Sequence, residues 1–360
     1  MSDKLDNINI DELERESKGV SLWKDAWRRL RKNKLAMGGL IVVVIYSIVS
    51  LSASFLPIKS YKRQIIEHQN LPPSITKTAG ELMLERDETM MLAMAKKMGR
   101  DELNADELAK LQDMSDKVHS ETRDIDGKQV KVHEWHYILG TDTLGRDILA
   151  RIIYGGQVSI GIGIIGTITS VLIGVVIGAL AGYIGGKFDY IITRVIDVIY
   201  GLPYMMLVII LMAFFGRNIL NLFFALAIVS WLTIARVVRG QIISLKNSEF
   251  IEAARSVGAG TGRIIFNHLV PNTLGVIVIF TTLRIPSFIM MESFLSFIGL
   301  GVQAPFASWG SLVSEGVEGM NLYPWRLFFP ALAMVVFLFA MNFLGDGLRD
   351  ALDPQSKNKL

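Results

Sequence analysis

The sequence predicts an all-α polytopic membrane protein with six transmembrane helices and an extracytoplasmic helical insertion. Three observations carry this. Charge is segregated: residues 1–34 hold 9 basic and 7 acidic side chains and residues 59–135 hold 13 and 15, so the 225 residues from His136 onward share 27 of the 71 charges. No charged residue lies between Leu35 and Ile58, a run long enough to cross the hydrocarbon core as a helix, which takes about 20 residues. Comparable apolar runs then recur almost to the C-terminus.

The organisation follows in order: an N-terminal segment 1–34, a first span 35–57, an outer loop 58–156, a core 157–345 and a tail 346–360. The core holds spans at 157–182, 189–215, 219–236, 273–293 and 327–345, with a polar connection at 237–272. Six basic residues, from Lys24 to Lys34, immediately precede the first span, and the 237–272 connection carries Arg239, Lys246, Arg255 and Arg263. The positive-inside rule therefore puts both termini and this connection in the cytoplasm and the 58–156 loop outside.

In the N-terminal segment, Trp23, Ala26, Trp27 and Leu30 fall at i, i+3, i+4 and i+7 among cations. This is the pattern of a helix lying in the membrane interface, or of one packed on protein. In the outer loop, residues 76–122 are rich in helix formers, and Met83, Met90, Met91, Met94 and Met98 are expected to form the buried face of a helical hairpin. In the second span, Gly174, Gly178 and Gly182 put small residues on one face for close helix approach. Pro203, behind Arg194 and Asp197, predicts a kink in the third span.

Composition excludes several chemistries. Cysteine is absent, which removes disulfides, thiolate zinc sites and cysteine nucleophiles. The net charge of +3 is small and local, so no nucleic acid is expected as a partner. A cleaved secretory signal is not expected, because the first apolar run starts late and is too long. Gly161-Ile-Gly-Ile-Ile-Gly166 fits a dinucleotide-binding spacing but sits inside an apolar span. Gly140–Arg146 has P-loop glycine spacing without the Lys-Ser/Thr pair. His133-Glu-Trp-His136 is read as a surface cluster, not a metal site.

The most informative stretch is the 237–272 connection. Ser248 or Asn247 is placed to cap a short helix containing Glu252–Val257, with Gly258 ending it in a left-handed conformation. A second helix from about Thr261 is expected to stop before Pro271. Taken from physics alone, this unit is equally an inert loop or a docking site. Within the spans, Arg284 and Glu292 are the ionisable residues to explain. Arg284 either faces a substrate pathway, where it would meet a peptide carboxylate, or belongs to a structural ion pair. A direct pair with Glu292 would have to bridge about 12 Å of helical rise.

Glu252-Ala253-Ala254, Gly258 and Pro271 resemble the "EAA" signature of permease subunits from ATP-binding-cassette importers, where this segment is the coupling helix seated in the nucleotide-binding subunit. His268 stands where an aliphatic residue is usual, and this resembles the peptide-transporter branch. Leu139–Asp147, Glu292–Gly301, Ser308-Trp-Gly310 and Asn342–Pro354 resemble the C-type subunit of oligopeptide, dipeptide and nickel permeases. The resemblance runs over roughly residues 20–57 and 136–354. It implies a type I importer permease fold and a bacterial inner (plasma) membrane location. It implies no enzymatic activity and no cofactor in this chain, with ATP and Mg bound by partner subunits. The partners it implies are a homologous B-type permease, two nucleotide-binding ATPase subunits and an extracytoplasmic peptide-binding protein. An ion-coupled secondary transporter would need intramembrane carboxylates, which are almost absent here; a non-transporting membrane scaffold is the other rival.

Overall fold

The computed structural model describes residues 22–125 and 127–352. Residues 1–21 of the N-terminal segment and 353–360 of the tail, including Pro354, lie outside the described residues. Apart from one two-stranded hairpin, Arg123–Ile125 against Lys128–Val130, the regular structure described is helical. In chain order the helices are α1 (Leu22–Lys32), α2 (Lys34–Leu51), α3 (Ala79–Lys97), α4 (Ala105–Ser120), α5 (Ile148–Ile184), α6 (Gly186–Tyr200), α7 (Tyr204–Phe215), α8 (Ile219–Leu245), α9 (Glu249–Ser256), α10 (Thr261–Phe297), α11 (Trp309–Val317) and α12 (Trp325–Leu352).

Five of these, α2, α5, α8, α10 and α12, are each long and apolar enough to cross a membrane. The sixth expected span, 189–215, is not one helix. It is the pair α6 and α7, bent by 86°. Pro203 lacks an N–H and pushes Leu202 out of helical geometry, so the expected kink is a full break at Gly201–Pro203. Other boundaries also shift. Helix α5 starts at Ile148 because Asp147 caps it, accepting from the N–H groups of Leu149 (2.9 Å) and Ala150 (3.4 Å). Helix α2 ends at Leu51, short of 57.

The core is built on α5. Its small residues run along two faces, of which the spacing predicts one, that of Gly174, Gly178 and Gly182. A Cβ on Gly174 would stand 2.6 Å from Ile234 Cβ, one on Gly178 2.4 Å from the Ala235 carbonyl oxygen, and one on Gly182 2.8 Å from the Arg239 carbonyl oxygen. Backbone contact between α5 and α8 therefore needs hydrogen at these positions. On the other face, Gly163 and Gly166 meet Ile285 and Phe288 of α10. Gly161 and Gly166 of the false dinucleotide pattern thus lie within a helix.

Helix α1 divides the two readings of its sequence. Ala26 and Leu30 are buried with Ala36, Leu344, Ala351 and Leu352, while Trp23 and Trp27 stay exposed, Trp27 beneath Arg31. It docks on α12 by one edge and presents its aromatic edge outward.

The insertion forms the expected helical hairpin, and both helices open with capping boxes, Thr78/Glu81 and Asn104/Glu107. Its core differs from the expectation. Met83 is buried, but Met90, Met94 and Met98 are 52, 55 and 72% exposed. The hairpin is too thin to enclose a full turn-by-turn stripe, and the apolar contacts used are Leu71, Ala79, Leu82, Met83 and Tyr137. His133 is likewise not on the surface. It is buried, with its Nδ1 2.9 Å from His68 Nε2, and His68 Nδ1 is 2.8 Å from the Tyr137 hydroxyl. Of the two histidines, only His136 is exposed.

Candidate functional site

Helix α9 sits between the ends of α8 and α10. Ile251 is fully buried in a cluster with Ile242 of α8 and Ile264, Ile265 and Leu269 of α10. Ala254, one turn on, is also buried. Glu252, Ala253, Ser256 and Val257 face outward, Val257 at 85% exposure. The Glu252 carboxylate forms no ion pair with a described residue.

The helix end is fixed as expected. Gly258 has φ +82, its N–H donates to the Arg255 carbonyl (2.9 Å), and the Ala259 N–H donates to Ala254 (3.0 Å). This 6→1, 5→2 pair is a Schellman motif. The start differs: Ser248 holds the N-cap position, but its hydroxyl donates to the Leu245 carbonyl at 2.6 Å.

The helix that begins at Thr261 does not stop before Pro271. It continues to Phe297 because residues Ile264–Leu269 widen into a π turn, with the Val270 N–H bonded to the Ile265 carbonyl. The wider turn absorbs a proline that would clash in an α-helix. His268 is half-buried in this turn, and its carbonyl accepts from Asn272 Nδ2 at 2.6 Å. Pro271 is exposed one turn beyond. Glu252, Ala253, Ala254 and Gly258 thus lie on and just after α9, and His268 and Pro271 lie in and just after the π turn that opens α10.

Arg284 and Glu292 are not brought together. Eight residues turn an α-helix about 80° past coincidence, and the two side chains serve different faces. Glu292 is fully buried; its Oε1 accepts from Ser296 (2.7 Å) and Ser308 (2.6 Å), while Oε2 has no partner. It fastens α10 to the Ser308-Trp-Gly310 corner, whose Trp309 ring N–H donates to the Ile152 carbonyl (3.0 Å) and whose backbone N–H donates to Ser159 (2.9 Å). Arg284 is half-buried and lines a cavity of about 170 Å³ at the break between α6 and α7. Its contact with the Ser230 carbonyl oxygen is long, 3.5 Å. Tyr200, Tyr204, Ser230 and Thr233, which sequence reasoning missed, share the cavity. For Ser230 and Thr233 the signal was a polar i, i+3 step in an apolar span.

The Leu139–Asp147 segment is a buried knot, not a phosphate cradle. Asp142 accepts from the Leu144 and Arg146 N–H groups and from the Arg146 and Arg151 guanidiniums, and Arg151 also pairs with Glu315 at 2.6 Å. A Cβ on Gly145 would overlap the Ile65 carbonyl oxygen.

Residues 174–358 match the family described as the binding-protein-dependent transport system inner membrane component, and residues 21–73 match the N-terminal TM domain of oligopeptide transport permease C. The chain belongs to the permease family of binding-protein-dependent transport systems. Its relatives include the oligopeptide transport system permease protein OppC of Escherichia coli strain K12, 39% identical over 99% of this chain and 98% of that protein. The dipeptide transport system permease protein DppC of Bacillus subtilis strain 168 is 39% identical over 97% of this chain and 90% of its own length. OppC of the same strain is 36% identical over 94% and 91%. The permease is thus a polytopic, all-helical subunit of the ATP-binding-cassette importer type. In it the α9–α10 elbow and the Arg284 cavity stand on the same two helices, α8 and α10.

Proposed function

We propose that this permease subunit forms half of the translocation pathway of an ATP-driven peptide importer, together with a homologous B-type permease. Two nucleotide-binding ATPase subunits bind ATP and Mg and hydrolyse the nucleotide, so no cofactor resides in this chain. An extracytoplasmic peptide-binding protein delivers cargo to the 58–156 side, and both termini face the cytoplasm of a bacterial inner membrane. Relatives carrying the names of oligopeptide and dipeptide permeases support the cargo class.

The observation that carries the reading is the division of α9 into two faces. Ile251 and Ala254 lock the helix to the ends of α8 and α10, while Glu252, Ala253, Ser256 and Val257 remain for a soluble partner. The Schellman stop at Gly258 makes the unit a rigid lever, so displacement of α9 by closing ATPase subunits passes directly into two spans. Glu252, Ala253, Ala254, Gly258, His268 and Pro271 are the coupling residues in this reading.

Purification in mild detergent tests it. Recovery of a second permease and ATPase subunits, with hydrolysis stimulated by peptide-loaded binding protein, is the expected result. A chain that purifies alone and transports in liposomes without ATP overturns it.

A further inference from the structure

Arg284, set deep in an apolar helix, has no carboxylate partner among the described residues. It lies well inside the 37-residue helix α10, and its one hydrogen bond, to the Ser230 carbonyl oxygen, is 3.5 Å long. A guanidinium has five N–H donors, and one held inside a span without an anion is costly enough that such residues face pathways or partners. The arginines of helices α6 and α8, by contrast, each have a carboxylate. Arg236 is 3.1 Å from Asp197, Arg194 3.9 Å from the same group, and Arg239 2.6 Å from Asp189.

The surroundings of Arg284 are those of a small polar site. The cavity opens where α6 and α7 break, so Tyr200 and Tyr204 stand on either side of the opening. The Tyr200 hydroxyl is hydrogen-bonded to Thr233 Oγ1, and the Tyr204 hydroxyl lies 2.9 Å from Ser230 Oγ. Each pair leaves hydroxyl capacity free. From this cavity a polar seam descends between α6 and α8 toward α9, and it is basic: Arg194, Arg236 and Arg239 against Asp197 and Asp189.

We propose that Arg284, with the hydroxyls of Tyr200, Tyr204, Ser230 and Thr233, is a transit site for the free α-carboxylate of a peptide crossing the membrane. The inference rests on the importer reading above. The planar guanidinium fork matches a carboxylate with two parallel hydrogen bonds, and the long contact to Ser230 leaves the fork available. The basic seam keeps the departing carboxylate in a favourable field along the helices that the lever moves.

The test uses the complete complex in liposomes: this chain, its second permease, the ATPase subunits and the binding protein. ATP-driven uptake is compared for one peptide as its free acid and as its C-terminal amide. The preference of the binding protein cancels when the acid-to-amide ratio of the wild type is divided by that of a variant. Arg284→Gln is expected to lower the ratio about tenfold, the scale of one charge-assisted pair. Arg284→Lys keeps charge and loses the fork, so it is expected to lower it about threefold and carries the test if the glutamine variant does not assemble. Equal loss for both cargoes overturns the proposal and marks Arg284 as the partner of a carboxylate on the second permease. A ratio that does not move in either variant overturns it as well. If the wild-type complex takes up neither cargo with ATP, the importer reading itself falls, and this ligand with it.

Discussion

Gly178 of α5 faces Ala235 of α8 with no room for a methyl group: a Cβ there would stand 2.4 Å from the Ala235 carbonyl oxygen and 2.9 Å from its Cα. The obstruction is backbone, which no rotamer change relieves. Gly178→Val is therefore expected to destabilise the α5–α8 pair by about 1–3 kcal/mol or more, read as a lowered melting temperature in detergent. Gly161→Val, on the same helix but with open space around it, serves as the control and is expected to leave the melting temperature unchanged.

Coupling makes a different demand. Glu252→Lys and Gly258→Asp are expected to abolish stimulation of ATP hydrolysis by loaded binding protein while the complex still purifies with native helicity. The first reverses charge on the exposed face; the second puts a Cβ where φ is +82, a conformation that disfavours it. Full-rate transport by both variants would remove α9 as the lever.

Glu292 separates packing from charge. Glu292→Gln keeps an acceptor for Ser296 and Ser308, whereas Glu292→Ala leaves both hydroxyls buried without it. The alanine variant is expected to cost about 1–3 kcal/mol and the glutamine variant markedly less, compared by thermal unfolding of the two side by side.

The insertion should weaken in acid. Burial, and then the charge of His133, push the His68 imidazole down to about 3 from its usual 6.5, with Glu67 opposing and Arg123 and Lys59 reinforcing the shift. The neutral His68 ring sits between the Tyr137 hydroxyl at 2.8 Å and His133 Nδ1 at 2.9 Å, and His133 Nε2 faces Glu121 at 3.5 Å. Below pH 6.5 the unfolded segment takes up a proton that the folded one refuses, so stability is full above that pH and is lost as pH falls toward 3, by at most about 1.4 kcal/mol per pH unit. Hydrogen exchange around Leu71–Met83 and Tyr137 at pH 7 and pH 5 measures it; protection that is equal at both values would contradict the His68 assignment.

The spans were legible because hydrocarbon forces length and composition on a helix, and the α5–α8 seam because glycine spacing has one mechanical use. The elbow at Gly258 was readable for the same local reason. What escaped were features set by contact between distant segments. Pro271 stops a helix only if the preceding turn stays α, and the π turn at Ile264–Leu269 removes that condition. The methionines of α3 have helical spacing but too little neighbouring mass to bury them. His68 and His133 are 65 residues apart, and no pattern in either neighbourhood announces the pair. Arg284 was visible as a charge in a span; its tyrosines flank the break in another segment.

That break also limits how far each piece of the third segment can reach. The two pieces Gly186–Tyr200 and Tyr204–Phe215 contain 15 and 12 residues, about 22 and 18 Å of helix, against a hydrocarbon thickness of about 30 Å. Neither alone is long enough to cross. The third segment therefore reaches across that thickness only with both pieces taken together, and both pack against Ile219–Leu245.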